Sequence, residues 1–219
     1  MRTTLKHIYE RLRQHFGPTH WWPGETPFEI VVGAILTQNT AWFNVERAII
    51  RLKTERLLHP RAILACPRER LEAAIRPSGY FRQKAERLRL FCEYLVLRHG
   101  GSVRRMARRP LSQLRGELLA IKGIGPETAD DILLYVCEKP VFVVDAYTRR
   151  ILSRHGLTPP DIGYEELRGM FERHLPPDVV MFKEYHGLIV YTGKDFCRKV
   201  PRCEGCPLAP LLPESGPAL

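Results

Sequence analysis

The stretch that decides the fold is Ile121-Lys122-Gly123-Ile124-Gly125-Pro126-Glu127-Thr128-Ala129-Asp130. Two glycines separated by one apolar residue let the backbone turn tightly and approach a ligand closely, because no Cβ stands in the way. Pro126 suits the first position of a helix, where its missing N–H leaves nothing unsatisfied. The free amides at such a helix start form a ready site for an anion such as a phosphate. Leu118, Leu119 and Ile121 precede the turn, and Ile132, Leu133 and Val136 follow it. The stretch therefore reads as two packed helices joined by a hairpin. Taken alone, Gly-Ile-Gly is about as consistent with a plain helix connection, since glycine is common in loops. What raises the reading is Asp145, which closes the apolar run Pro140-Val141-Phe142-Val143-Val144.

Outward from the hairpin the chain reads as all-α. Segments 28–36, 44–52, 68–75, 83–97, 111–119 and 128–136 carry apolar residues at helical spacing. Short breakers separate such segments: Pro23-Gly24, Pro60, Pro77-Ser78-Gly79, Gly100-Gly101, Pro110, Gly123 and Pro159-Pro160. No alternating stretch is long enough to build a sheet, and the short run 141–144 has no evident partner. The proline-rich stretch 207–219 is expected to be a loosely ordered tail.

Length and charge agree with a helix–hairpin–helix protein that binds DNA. A chain of 219 residues can bury one substantial core or two smaller ones. The net charge of +10 and the isoelectric point near 9.6 favour a polyanionic partner. Nucleic acid leads and an acidic membrane surface comes second, with charge that merely keeps the chain soluble as the bland alternative. No apolar run can span a bilayer, and Met1-Arg2-Thr3-Thr4-Leu5-Lys6-His7 lacks the apolar core of a secretion signal. A cytoplasmic, monomeric, nucleoid-associated protein of a bacterial or archaeal cell is the expectation.

Cysteine usage is lopsided. Cys66, Cys92 and Cys137 sit alone in apolar segments and read as small hydrophobes. Cys197, Cys203 and Cys206 instead crowd a loop containing Pro and Gly, and read as metal or iron–sulfur ligands rather than disulfide partners. The fourth cysteine that would complete such a set is missing: Leu212 stands where it is expected. An unoccupied loop, a non-cysteine fourth ligand, and recruitment of Cys137 all stay open.

The hairpin, Asp145 and the cysteine loop, in that order in a helical chain, resemble the endonuclease III superfamily of helix–hairpin–helix DNA glycosylases. The resemblance runs from about Trp21 to Cys206. Within that superfamily the chain is most similar to the 3-methyladenine glycosylase branch. Trp21-Trp22-Pro23, Gly33-Ala34-Ile35-Leu36-Thr37-Gln38-Asn39-Thr40, Arg76-Pro77-Ser78-Gly79-Tyr80 with Gln83-Lys84-Ala85, and Lys122-Gly123-Ile124-Gly125 through Tyr135-Val136-Cys137 carry it. The resemblance implies a helical barrel domain over 24–136 and a second helical domain made of 1–23 and 137–219. Damaged double-stranded DNA would lie in the groove between them, with Asp145 at its mouth.

Two departures bear on chemistry. Bifunctional members place a lysine just after the hairpin to attack the sugar C1′, and here that position is Glu127. A carboxylate cannot form an imine, so AP lyase activity is expected to be weak or absent. The cysteine loop has one residue fewer between its first two cysteines than the family pattern and lacks the fourth ligand. A 4Fe-4S cluster is therefore implied with three ligands only.

The remaining chemistry needs one carboxylate. Cleaving an N-glycosidic bond passes through a sugar with oxocarbenium character. An ionised Asp145 near C1′ can stabilise that charge and orient or deprotonate the attacking water. Asp145 is also well placed to cap the helix that begins at Ala146, and the two roles are compatible. A base alkylated on a ring nitrogen is already cationic and leaves readily, so recognition falls to an aromatic pocket for a flipped base. Trp21, Trp22 and Trp42 are the candidates for that pocket, with Lys194 nearby; core packing is the competing reading for Trp42 and surface exposure for Lys194. By resemblance Gln38 and Tyr80 wedge into the DNA stack, although polar capping also explains Gln38. Lys84, Arg82, Arg149 and Arg150 are expected to reach phosphates, and Lys122, Gly123, Gly125 and Thr128 to form the hairpin contact. The sequence thus points to a monofunctional glycosylase for N-alkylated purines. A bifunctional glycosylase for oxidised pyrimidines and a non-catalytic DNA-binding module are the alternatives.

Overall fold

The computed structural model describes residues 1–19, 21–22 and 24–217. Pro23, read above as a breaker and as part of the Trp-Trp-Pro motif, lies outside the described residues, as does the end of the tail at 218–219. The protein is all-α, with no strand among the described residues. It divides into two compact units, Pro23–Lys139 and the combination of Met1–Trp22 with Pro140–Leu219. Helix α1 (Arg2–Phe16) belongs to the composite unit. The continuous unit holds α2 (Pro27–Leu36), α3 (Trp42–Thr54), α4 (Pro60–Ala65), α5 (Arg68–Ile75), α6 (Phe81–His99), α7 (Val103–Ala107), α8 (Leu111–Leu119) and α9 (Pro126–Asp131). The composite unit resumes with α10 (Ala146–Arg154), α11 (Tyr164–His174) and α12 (Val179–Asp195).

In the continuous unit α2 is apolar nearly all round, as a helix enclosed by others must be. Thr26 caps it by accepting from the Glu29 amide at 3.1 Å, and Pro27 takes the first helical position. Around it pack α3, α6, α9 and the π-helical turn Ile132–Val136 that prolongs α9. Ile132, Leu133, Leu134 and Tyr135 are all buried, so a helical period alone cannot separate this π turn from an ordinary α-turn. Each large apolar side chain so buried contributes about 1.5–3 kcal/mol.

In the composite unit the apolar run 141–144 is buried along its length without pairing as a strand. Phe142 stacks on Phe171 with ring centroids 3.8 Å apart, and Phe182 and Tyr185 meet its edges. The Phe142 amide donates to Glu172 Oε1 at 3.0 Å. Tyr185 Oη donates to the Leu5 carbonyl at 2.9 Å and ties α12 to α1. This anchoring delivers Asp145 to the start of α10.

The stretch from 207 onward is not the loose tail expected of it. Leu208 is fully buried, Ala209–Leu211 form a 3-10 turn, and Arg11 Nε donates to the Pro207 carbonyl at 2.7 Å. A leucine with somewhere to pack overrides the proline-rich composition.

Candidate active site

Asp145 is the N-cap of α10 and closes a capping box with Thr148. Its Oδ1 accepts from the Thr148 amide at 2.7 Å and from the Thr148 hydroxyl at 2.7 Å. Its other oxygen, Oδ2, lies 3.6 Å from His186 Nε2 on α12. Burial by itself would push the Asp145 carboxyl up, but His186 and the Thr148 donors outweigh it and hold the carboxyl below the ordinary aspartate range. Asp145 is thus an anion at neutral pH, with one oxygen fixed by the cap and the other shared with a buried imidazole. Sequence reading missed His186, whose partner Asp145 lies 41 residues away along the chain.

Trp21 stands beside this pair. Its ring meets His186 and Tyr191 edge-on, with centroids 6.5 and 5.3 Å away. Lys194 Nζ sits 5.3 Å from the Trp21 ring centroid, a cation–π contact. Gly187 makes the room: a Cβ there would lie 2.6 Å from Trp21 Cβ. Gly193 does the same for Tyr147, whose ring a Cβ would meet at 2.1 Å. Of the residues proposed for a base pocket, Trp21 and Lys194 are therefore brought together near Asp145. Trp22 follows with φ 78, and Trp42 opens α3 in the other unit.

The residues expected to meet DNA, Gln38, Tyr80, Lys84, Lys122, Gly123, Gly125 and Thr128, all fall in the continuous unit. The hairpin turns at Gly123 with φ +87, where a Cβ would also lie 2.6 Å from the Arg87 side chain. Gly125 caps α9 without a side chain, and Pro126 occupies the first turn. Lys122 Nζ lies on the surface, 2.9 Å from Glu86 Oε1. Gln38 is anchored on the hairpin: its Nε2 donates to the Gly123 carbonyl at 3.1 Å and to Thr128 Oγ1 at 2.8 Å, and Arg87 donates to its Oε1. Thr128 is buried, with its hydroxyl engaged by Gln38 rather than turned outward. Tyr80 has φ 45 and is 64% exposed.

Three of the expected phosphate contacts need correction. Lys84 is fully buried and donates to the Leu36 and Ser78 carbonyls at 2.8 and 2.6 Å, so it reaches no phosphate. It lies in phase with the buried Leu88, Phe91 and Leu95 on α6, a register that the charged neighbours Arg82, Glu86 and Arg87 disguised. Arg149 donates to the Ile162 carbonyl, and Arg150 to the Cys197 carbonyl at 2.7 Å; both are occupied within the fold. Arg82 remains exposed.

Cys197, Cys203 and Cys206 line one recess, open to solvent, together with Arg154, His155 and Leu212. Arg154 Nη1 donates to Cys197 Sγ at 3.3 Å and to the Arg198 carbonyl at 2.6 Å. Burial raises the Cys206 thiol. Among the described residues no group of three or more His, Cys, Asp or Glu closes around a single metal ion. The donor set suits three corners of an iron–sulfur cluster in kind and falls one ligand short, because Leu212 forms the wall where a fourth sulfur is expected. Cys137 is buried in the continuous unit, its thiol pushed up to about 12 by desolvation.

Comparison with known proteins gives the class to which this helical fold belongs. The family described as HhH-GPD superfamily base excision DNA repair protein matches residues 32–177. A candidate DNA repair glycosylase of Methanocaldococcus jannaschii is 47% identical over 203 residues, 92% of each chain. Endonuclease III in a non-covalent DNA complex shares the fold with TM-score 0.84 at 24% identity, over 98% of this chain and 96% of that one. The 3-methyladenine DNA glycosylase of H. pylori bound to 1,N6-ethenoadenine is 29% identical with TM-score 0.72, over 88% and 95%. The chain belongs to the HhH-GPD superfamily of base excision DNA repair proteins. It is a DNA glycosylase. No helix among the described residues is long and apolar enough to cross a membrane.

Proposed function

We propose that this glycosylase is monofunctional and releases N-alkylated purines by hydrolysis, with Asp145 as its catalytic group. The observation that carries the reading is the grouping of Asp145, His186, Trp21 and Lys194 in one unit. As the N-glycosidic bond breaks, positive charge grows on the sugar, and the fixed Asp145 carboxylate stabilises it and orients water toward C1′. An alkylated base leaves without a general acid because it is already cationic. In the free protein the Trp21 ring carries the Lys194 ammonium, so its π face already holds a cation. A cationic base stacks there when that ammonium gives way, a preference of about 0.5–2 kcal/mol over the neutral base. The likeness to the H. pylori 3-methyladenine glycosylase supports this assignment.

Glu127 supports the monofunctional reading. It is exposed in the first turn of α9, where bifunctional enzymes carry the attacking amine. Lys122, Gly123 and Gly125 engage a phosphate at the hairpin, while Gln38 and Tyr80 fill the gap left by the flipped base. We also propose that Cys197, Cys203 and Cys206 hold a 4Fe-4S cluster. A cluster held there would tie together the loop that Arg150 and Arg154 brace from α10.

A panel of lesion duplexes tests the substrate. The expected result is rapid release of 3-methyladenine and little release of thymine glycol; efficient thymine glycol removal with alkylated DNA ignored would overturn the assignment. Protein purified without oxygen is expected to be brown with stoichiometric iron. Colourless, iron-free protein of equal stability and activity would remove the cluster from the account.

A further inference from the structure

Lys84 is a lysine for which neither of the roles above has a use. It is fully buried, its Nζ faces two backbone carbonyls, and burial and the nearby Arg87 push its ammonium down to about 8. A buried ammonium held by carbonyls is an expensive way to fill a helix face, since an apolar side chain of the same length would pack there without desolvating a charge. Its value is in what the two carbonyls belong to. Leu36 is the last residue of α2, and its carbonyl is one of the orphan acceptors at that helix end, beside the loop bearing Gln38 and Asn39. Ser78 ends the 3-10 turn Arg76–Ser78, two residues before Tyr80.

A second bond closes the same junction from the opposite loop. Thr40 Oγ1 donates to the Ser78 carbonyl at 2.5 Å, so that one oxygen accepts from both Lys84 and Thr40. Each loop then runs through the left-handed region: Asn39 has φ 52, Gly79 φ 66 and Tyr80 φ 45. Such backbone persists outside glycine only where its surroundings hold it. Asn39 and Tyr80 are exposed at the ends of these two held turns.

We propose that Lys84 is the positioning residue for DNA distortion, a staple that fixes the Gln38–Asn39 loop against the Gly79–Tyr80 loop so that both enter the base stack together. The inference rests on the reading of Gln38 and Tyr80 as wedges. Lys84 itself touches no DNA.

The experiment places 2-aminopurine beside a lesion and follows base flipping and single-turnover excision in Lys84→Met, with Gln38→Ala and Tyr80→Ala alongside. Lys84→Met is expected to fold with a somewhat lowered midpoint, because the Leu36 carbonyl loses its donor while the cost of a buried charge is removed. Its flipping signal and excision rate are expected to fall about 10- to 100-fold, as displaced catalytic geometry does, while affinity for undamaged duplex stays within about twofold. Thr40→Val, which removes the second donor to Ser78, is expected to give a smaller loss in the same direction, and it decides the matter if Lys84→Met does not fold. Flipping intact in Lys84→Met, or in Thr40→Val where that variant decides, but lost in Gln38→Ala or Tyr80→Ala would overturn the staple and leave the wedges standing. Flipping intact in Gln38→Ala and Tyr80→Ala would overturn the wedge reading itself, and the staple with it.

Discussion

Two helix starts in this chain treat their first amides in opposite ways. Helix α10 begins at Asp145, whose carboxylate and the Thr148 hydroxyl close a capping box. Helix α9 begins at Gly125, with no side-chain cap and Pro126 in its first turn. The first start has an internal anion and therefore organises a carboxylate. The second has no side-chain cap of its own, and the proposed function gives it a phosphate. Under the proposed function the first serves the sugar and the second a phosphate, and the two starts differ in the residue at the N-cap.

The comparison breaks most sharply at Asp145. Asparagine caps a helix about as well as aspartate, so Asp145→Asn should keep the thermal midpoint near the wild type while excision falls about 10²–10³-fold through loss of the charge. Parallel loss of stability and activity would mean that the cap is all Asp145 provides. At the open start, Gly125 has φ −87 and an added Cβ would meet nothing within 4 Å. Gly125→Ala should therefore leave stability unchanged yet weaken DNA binding about tenfold, because the methyl group enters the space of the phosphate. Unchanged affinity on titration with duplex DNA would remove the hairpin from the interface. A smaller effect is expected at Lys122: Lys122→Ala should lower the salt slope of binding by about one while leaving lesion preference intact.

Proton linkage sharpens the same contrast. The folded carboxyl of Asp145 sits below its ordinary value of 3.8. Its contribution to stability is complete above that value and is lost as pH falls through the lowered one. Excision that depends on ionised Asp145 should accordingly persist into mildly acid solution. A loss of single-turnover rate centred above the ordinary aspartate range, and absent from Asp145→Asn, would show that the carboxyl is not held down.

Much of this was legible in the sequence. The periodic segments 68–75 and 111–119 coincide with α5 and α8, and the Gly-Ile-Gly-Pro pattern marks the hairpin because only special backbone needs those residues in that order. Helix α12 was not among the periodic segments, and within it Gly187 and Gly193 are notches for Trp21 and Tyr147. Lys84 was misread because its charge argued for solvent while its register argued for the core. His186 and Arg87 were invisible for a plainer reason: their partners, Asp145 and Gln38, lie 41 and 49 residues away in sequence, and no local pattern encodes such a meeting.

The central claim is hydrolysis by a carboxylate without an amine nucleophile. The most direct measurement incubates the protein with a 3-methyladenine duplex in the presence and absence of borohydride, and resolves base, strand and protein. The account predicts free base, an intact abasic strand until alkali is added, and no covalent protein–DNA band. A borohydride-trapped adduct forming as fast as base is released would contradict it, and would place a reactive lysine at the site that Asp145 is here assigned to serve.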